Sequence, residues 1–491
     1  MKKMSLWLDG EKDNHVVELN KNVNTDILII GGGITGMTTA YQLINSNLKV
    51  VLIDQNLIGH GVSSKTTGKL NYLQENIYTS IKNTFSINEA NLYLKSQLEA
   101  IQHVNQVINT NNIKCNFEWV QSYLFTNNNE EIKRIKNEKK LLEQMGIDVQ
   151  EHKSIEPNLK CKYAISVQDT AVFHPIKYLY ALKDICLKNK IDIYENTKAI
   201  KINNAKDGFI VETTNKYKIK TKKIVIANHY PFFILPFFMP IKTYIEKSYI
   251  TATPTDDPKS KTYITSSYPC ESIRYHKDKN SSYILYLNGS HTICNKLNEK
   301  NNFNKAIKGA NKLKLDPMYI WSNDDLMTAD KLPFIGSINK EKSLFIGTGY
   351  NTWGMTNGTI AGIVISDLIQ NKKNSYEELF NPNRKFNFAK AKQYPINLFN
   401  NISGFYKSKI SKNKEWYNNK IKFKTINGKK LAIYTDKDGE HIVYNKCPHM
   451  GCSLIFNEVE KTWDCPCHAS RFDIDGNCIK GPSTYDISYK K

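Results

Sequence analysis

Residues 26–36 of the 491-residue chain read DILIIGGGITG, and no other stretch limits the fold as much. Four branched apolar residues (Ile27, Leu28, Ile29 and Ile30) predict a short strand buried on both faces. They run into Gly31, Gly33 and Gly36, spaced G-x-G-x-x-G, and then into a helical pattern from Ile34 to about Leu43. Gly31 permits the tight turn, Gly33 lets backbone approach a pyrophosphate, and Gly36 lets helix pack closely on strand. Phosphates then lie at a helix N-terminus, where free N–H groups and the helix dipole favour anions. A second strand over 49–53 (KVVLI) ends in Asp54, 18 residues after Gly36, where a carboxylate binds the ribose hydroxyls of an adenine dinucleotide. An ordinary glycine-rich turn needs none of this context, so the stretch reads as a dinucleotide site.

The length allows two or three domains. Lys and Arg number 68 against 47 Asp and Glu, a net charge of +21. Scattered lysines, no arginine-rich patch and no nucleic-acid motif make this a compositional bias, and no nucleic-acid partner is expected. The N-terminus lacks an apolar signal core. The most apolar later run, 231–240 (PFFILPFFMP), is too short and too broken by proline to span a bilayer. The expectation is a cytoplasmic protein.

After Asp54, residues 59–69 (GHGVSSKTTGK) form a loop of small and hydroxyl-bearing residues suited to wrapping a cofactor. Residues 86–150 look helical and are expected to cover the cofactor domain. Phe173-His174-Pro175 opens a further helix over 176–188, followed by strands near 191–203 and 208–220 and a buried strand at 223–227. From 241 to 320 the alternation is strand-like, an antiparallel sheet fit to carry substrate-facing residues. Residues 330–336 (DKLPFIG) and a strand over 344–346 lead to Gly347, Gly349, Trp353, Gly354 and Met355 and a helix over 356–369. This junction does not repeat G-x-G-x-x-G and reads as the closure of the first site.

This order resembles the D-amino-acid oxidase/glycine oxidase superfamily of FAD-dependent oxidoreductases over roughly residues 24–375. The resemblance implies an α/β Rossmann-like FAD-binding domain (1–85, 155–240 and 325–375). It also implies an antiparallel-sheet substrate or cap domain (86–154 and 241–324). Gly31, Gly33, Gly36 and Asp54 would hold the ADP half of FAD, and Ser64, Thr67 and Gly68 would line its flavin side. Gly336, Gly349, Trp353, Gly354 and Met355 would approach the isoalloxazine. Relatives that bind FAD covalently carry a histidine three residues before the glycine matching Gly68. Lys65 stands there, so non-covalent FAD is expected. Arg274 is the candidate clamp for a substrate carboxylate, with a strand arginine of no such role equally open, and Lys69 is a second catalytic candidate.

Of ten cysteines, five crowd into residues 447–478, while Cys115, Cys161, Cys186, Cys270 and Cys294 lie far apart. Cys447-Pro-His449-Met-Gly-Cys452 and Cys465-Pro-Cys467-His468-Ala-Ser470 are separated by 15 residues between His449 and Cys465. Cys447, His449, Cys465 and His468 suit tetrahedral zinc, and equally a [2Fe–2S] cluster with thiolates on one iron and imidazoles on the other. Spacing and flanks resemble the Rieske family, which implies the cluster in a small all-β domain (421–491) reached through a linker (376–420). The resemblance also implies a Cys452–Cys467 disulfide, a covering loop at Gly481-Pro482, and a Ser470 hydroxyl donating to a cluster sulfur. Phe472 stands where high-potential members carry tyrosine, so a lower potential is expected.

Together the two parts resemble bacterial FAD-dependent oxidoreductases with a C-terminal Rieske domain. The expected activity is oxidation of a small-molecule amine or amino-acid-like substrate. Electrons then leave singly through the cluster to an external acceptor, for which an acidic redox protein is the candidate. Two alternatives stay open: an NAD(P)H-driven reductase, disfavoured by the single complete G-x-G-x-x-G, and a redox-sensing binding protein.

Overall fold

The computed structural model describes residues 1–13, 15–156, 159–231, 242–278, 281–293, 299–385 and 421–489. Most of the expected linker and most of the apolar run at 231–240 lie outside the described residues, as does Cys294.

Two large sheets organise the first 385 residues. The first carries parallel strands Leu344–Thr348, Lys218–Ile226, Val23–Ile30, Val50–Ile53 and Asp192–Tyr194 in that spatial order. Ile27–Ile30 lie against Val50–Ile53 on one side and Lys223–Ile226 on the other, and all four are buried. That two-sided burial is why the run is continuously apolar instead of alternating. The helix Ile34–Gln42 follows at once, and a Cβ at Gly36 would overlap the Gly31 carbonyl oxygen. Gly31 itself has φ +111°, a conformation costly for any side chain. A second helix, Gly354–Ile369, is buried on nearly every face, and Gly358 and Gly362 let it close on Ile34 and Thr38 of the first. The two helices therefore begin beside one another at the carboxyl edge of the sheet.

The second sheet is nine-stranded and almost wholly antiparallel, built around Thr243–Pro254 and Ser282–Thr292. Two expectations need correction here. Residues 118–126 are not helical: Glu118–Thr126 is a strand of this sheet, paired with Tyr163–Val172 and Lys261–Thr265. Its aromatic and β-branched residues (Trp119, Val120, Tyr123, Phe125) favour the pleated surface over the helical pattern of its neighbours. Within 241–320, Glu299–Lys312 is a helix that buries Phe303, Ala306 and Ala310, a three- and four-residue spacing. The helix Ile87–Asn111 packs on the helix Gly354–Ile369, with Gln97 Nε2 donating to Asn357 Oδ1 at 3.0 Å.

The C-terminal unit has a three-stranded and a four-stranded antiparallel sheet over one apolar cluster containing Trp463, Phe472, Cys447 and Cys465. Among the described residues no helix is long and apolar enough to cross a membrane.

Gly36→Ala is expected to destabilise the protein by about 3 kcal/mol, the upper end for overpacking, because the clash is with backbone. Chemical denaturation and the flavin absorbance of purified protein check this, and a variant with wild-type values contradicts it.

Candidate functional site

The carboxyl edge of the parallel sheet opens on a cavity of about 730 Å³ lined by Gly31, Gly33, Asp54, Ser63, Asn228 and Tyr230, among others. Gly33 gives the helix Ile34–Gln42 no side-chain cap, and Ser63 Oγ accepts from Ile34 N at 3.1 Å. Asp54 is held by Gly32 N (2.6 Å) and Asn56 N (2.7 Å), which leaves acceptor capacity for ribose hydroxyls. Burial raises its carboxyl to about 6. Asn228 Oδ1 is buried without a partner among the described residues. A dinucleotide with its phosphates at the open helix start fits these donors and acceptors.

A second cavity, about 590 Å³, meets the first at Thr66, Thr352, Gly354 and Met355, where Gly354–Ile369 begins. Its walls come from the antiparallel sheet: Glu246 and Ser248, two apart and on one face, with Ser290 and Thr292 of the neighbouring strand. Lys69 enters beside Trp353, its Nζ 5.3 Å from the ring centre and donating to Ser272 Oγ. Burial lowers the Lys69 ammonium to about 8. Burial raises Glu246 to about 7, helped by the charges of Glu75 and of Asp325, its cross-strand partner. Glu75 and Lys331 also line this cavity, giving it a mixed-charge wall.

The loop between the cavities is tightly fixed. Arg274 is buried (1% exposed), and its guanidinium donates to the carbonyls of Thr67 (2.6 Å), Gly68 (2.9 Å), Phe173 (3.0 Å) and Tyr275 (3.0 Å). It stacks 4.9 Å from the Trp7 ring, whose Nε1 donates to Thr66 O at 2.7 Å. The carboxylate clamp expected at Arg274 is therefore corrected: its donors organise the loop and do not face the substrate cavity. Gly336 also stands elsewhere, against Pro382 and Leu368, because the strand Phe334–Ser337 lies at the sheet's far edge.

The other sequence-derived residues divide between the walls. Gly31, Gly33, Asp54, Gly354 and Met355 line the first cavity, and Thr67, Lys69, Trp353, Gly354 and Met355 the second. Gly36 lies under the first turn, Gly68 packs on Arg274, and Gly349 sits against Thr328 and Phe334. The Ser64 hydroxyl donates to Gly61 O at 2.9 Å. Tyr350, within the glycine-rich junction read from sequence, is bonded to Thr35 Oγ1 at 2.7 Å, whereas the acids Glu246 and Asp325 were not singled out from sequence. The strand alternation of Glu246 with Ser248 was the available signal.

In the C-terminal unit, Cys452 and Cys467 form a disulfide. Cys465 Sγ lies within 4.8 Å of both disulfide sulfurs, but these are bonded to each other and offer no thiolate. The Cys447 and Cys465 thiols hydrogen-bond each other, which draws Cys447 down to about 7 and pushes Cys465 up. The Ser470 hydroxyl also bonds Cys447. The His449 and His468 rings stand 5.0 Å apart, and both Nδ1 atoms are buried and without partners among the described residues. Burial lowers both imidazoles, His468 to about 3, so each is a neutral nitrogen donor. Two facing thiols and two orphaned imidazole nitrogens fit a metal group better than they fit each other.

This unit docks against the antiparallel sheet through a buried charge network. Lys480 Nζ reaches Asp324 at 2.5 Å, and Arg471 pairs with Asp464 (3.0 Å) and Glu460 (3.1 Å). Lys247 of the antiparallel sheet pairs with Glu299 at 3.1 Å and stands 3.8 Å from Asp464. Burial alone would raise Glu460, but Arg471, Lys247 and Lys65 hold it at about 2. Gln55, next to Asp54, donates to Ile479 O at 3.0 Å, and Lys480, Gly481 and Ser483 line the first cavity.

Comparison with known proteins places these sites. A family model described as FAD dependent oxidoreductase matches residues 26–368, and one described as Rieske [2Fe-2S] domain matches 407–489. The putative Rieske 2Fe-2S iron-sulfur protein YhfW of Bacillus subtilis is 31% identical over 95% of this chain and 93% of its own length. Gamma-glutamylputrescine oxidoreductase of Escherichia coli is 20% identical over 74% of this chain and 88% of its own. Glycine oxidase from Geobacillus kaustophilus superposes with a TM-score of 0.63 at 17% identity, covering 74% of this chain and all of that one.

Phe472 is wholly buried in the apolar cluster that holds Cys447 and Cys465. A hydroxyl donated to the cluster sulfurs stabilises the reduced form, so Phe472→Tyr is expected to raise the midpoint potential. Redox titration followed by EPR checks it, and an unchanged or lower potential contradicts it.

Proposed function

The chain belongs to the FAD-dependent oxidoreductase family and carries a Rieske [2Fe–2S] domain; on that premise we propose that it oxidises an amine or amino-acid-like substrate and delivers the electrons singly to an external acceptor. When bound, FAD supplies two-electron oxidation of a C–N bond and the cluster supplies one-electron transfer. One observation carries the reading. The first cavity reaches the cluster histidines through Tyr230 and opens, at Thr66, Thr352, Gly354 and Met355, on a separate mixed-charge cavity. Substrate and cluster therefore have different sides of one cofactor.

Chain groups in the second cavity suit a zwitterion. Lys69 offers a cation for a carboxylate beside Trp353, while Glu246 and Glu75 offer acceptors to an ammonium. Glu246, near 7, is placed to take the proton that the ammonium must lose before its C–H bond can be oxidised. The external acceptor is expected to be an acidic one-electron carrier, drawn by the net charge of +21.

Anaerobic stopped-flow mixing with a panel of amino acids and amines tests the proposal. Flavin bleaching followed by a reduced-cluster EPR signal is expected. Bleaching by NADH or NADPH, with none by any amine, would favour the reductase alternative.

The Lys69 cation is present below about 8 and is lost above it. Affinity for simple carboxylates, read as a perturbation of the flavin spectrum, is expected to fall about tenfold per pH unit above that point. Lys69→Met should weaken binding at pH 7 and flatten the profile. A wild-type profile flat from pH 6 to pH 10 (~4 units, ample for one titration) argues against Lys69 as the carboxylate partner.

A further inference from the structure

Tyr230 stands just beyond the end of the strand Lys218–Ile226, at the seam between the two cofactor sites. It is 6% exposed and lines the cavity that begins at the G-x-G-x-x-G turn. Its ring centre lies 6.0 Å from that of His468 and 6.5 Å from that of His449, both in edge-on geometry. Ala469, between His468 and Ser470, packs into the same apolar cluster as Tyr230, together with Ile30 and Ile226. The backbone that presents the ring is itself fixed. Thr348 Oγ1 donates to His229 O, and Tyr230 N donates to Asn228 O at 2.6 Å. Its hydroxyl is buried and without a partner among the described residues, so no hydrogen bond within them explains why a tyrosine-sized ring fills this position.

We propose that Tyr230 is a positioning residue for electron transfer, its ring closing the gap between the FAD cavity and both histidine ligands of the cluster. The proposal rests on the relay reading above and names the contact through which that relay runs. In each passage one electron leaves reduced flavin and reduces the oxidised cluster by one equivalent. Two passages return the flavin to its oxidised form, with its two protons released to solvent. The cluster gives each electron to the external one-electron acceptor. Tyr230 is neither oxidised nor reduced; it excludes water and fixes the separation.

The test uses full-length holoprotein reduced by a flash-generated deazaflavin radical, with flavin and cluster absorbance followed as the electron equilibrates. Tyr230→Leu is expected to slow equilibration by about tenfold, on the scale of an ångström's misplacement of reacting partners. Tyr230→Phe, which keeps the ring, should restore the rate. Rates are compared per bound FAD and per cluster, each quantified in every variant from its absorbance and EPR signal. A Tyr230→Leu protein that equilibrates at the wild-type rate overturns the proposal.

Ring-deuterated tyrosine gives a second measurement that needs only the mild Phe variant. Deuterium coupling to the reduced cluster, seen by pulsed EPR, is expected in wild type and should be lost in Tyr230→Phe. Coupling that persists in Tyr230→Phe overturns the placement. Coupling in wild type without any flavin–cluster equilibration overturns the proposal together with the relay reading, and so separates the two failures.

Discussion

The arrangement depends on the buried charge network that fixes the C-terminal unit to the rest of the chain. Lys480–Asp324, Arg471 with Asp464 and Glu460, and Lys247 with Glu299 bring charges from the antiparallel sheet, its helix Glu299–Lys312 and the small domain into one enclosed cluster. Enclosed charges are costly without partners, and removing one member of such a group leaves the others uncompensated. A network of this kind adds little net stability compared with apolar packing, but it admits few alternative dockings. Here it holds the histidine edge of one cofactor site against the wall of another. The Rieske domain is therefore also a wall of the first cavity.

A second constraint acts on the other side of that cavity. The buried Arg274 guanidinium collects carbonyls from Thr67, Gly68 and Phe173, and Trp7 from the N-terminal segment holds Thr66. The loop between the two cavities is thus fixed by a cation that has no ion-pair partner among the described residues and is stabilised by carbonyl dipoles. Burial lowers that guanidinium to about 9, which still leaves it charged at neutral pH. Glycines at 358 and 362 bring the helix Gly354–Ile369 against the helix Ile34–Gln42, so both helix starts line the same cavity.

Much of this was legible in the sequence where the determinants are local. Ile27–Ile30 and the glycines behind them define strand, turn and helix within one short segment. The two Cys/His loops define a ligand set by spacing alone. Local determinants also explain the misreadings. Glu118–Thr126 was hidden between two strongly periodic helices, and the three buried positions of Glu299–Lys312 were lost in a surrounding run of strands. Arg274 was legible as a buriable cation on a strand, but not the direction of its guanidinium, which is set by carbonyls about 100 and 200 residues away. The docking network was invisible for the same reason. Nothing near Lys480 in the chain indicates Asp324, and nothing near Tyr230 indicates His468.

The central claim is that one chain holds a two-electron flavin and a one-electron cluster in contact. Anaerobic coulometric titration of the purified protein, with EPR at each step, tests it most directly. The account predicts uptake of about three electrons per chain, two at the flavin and one at a cluster whose rhombic signal reports mixed histidine and cysteine ligation. Uptake of two electrons, with no cluster signal and stoichiometric zinc in the C-terminal unit, would contradict it.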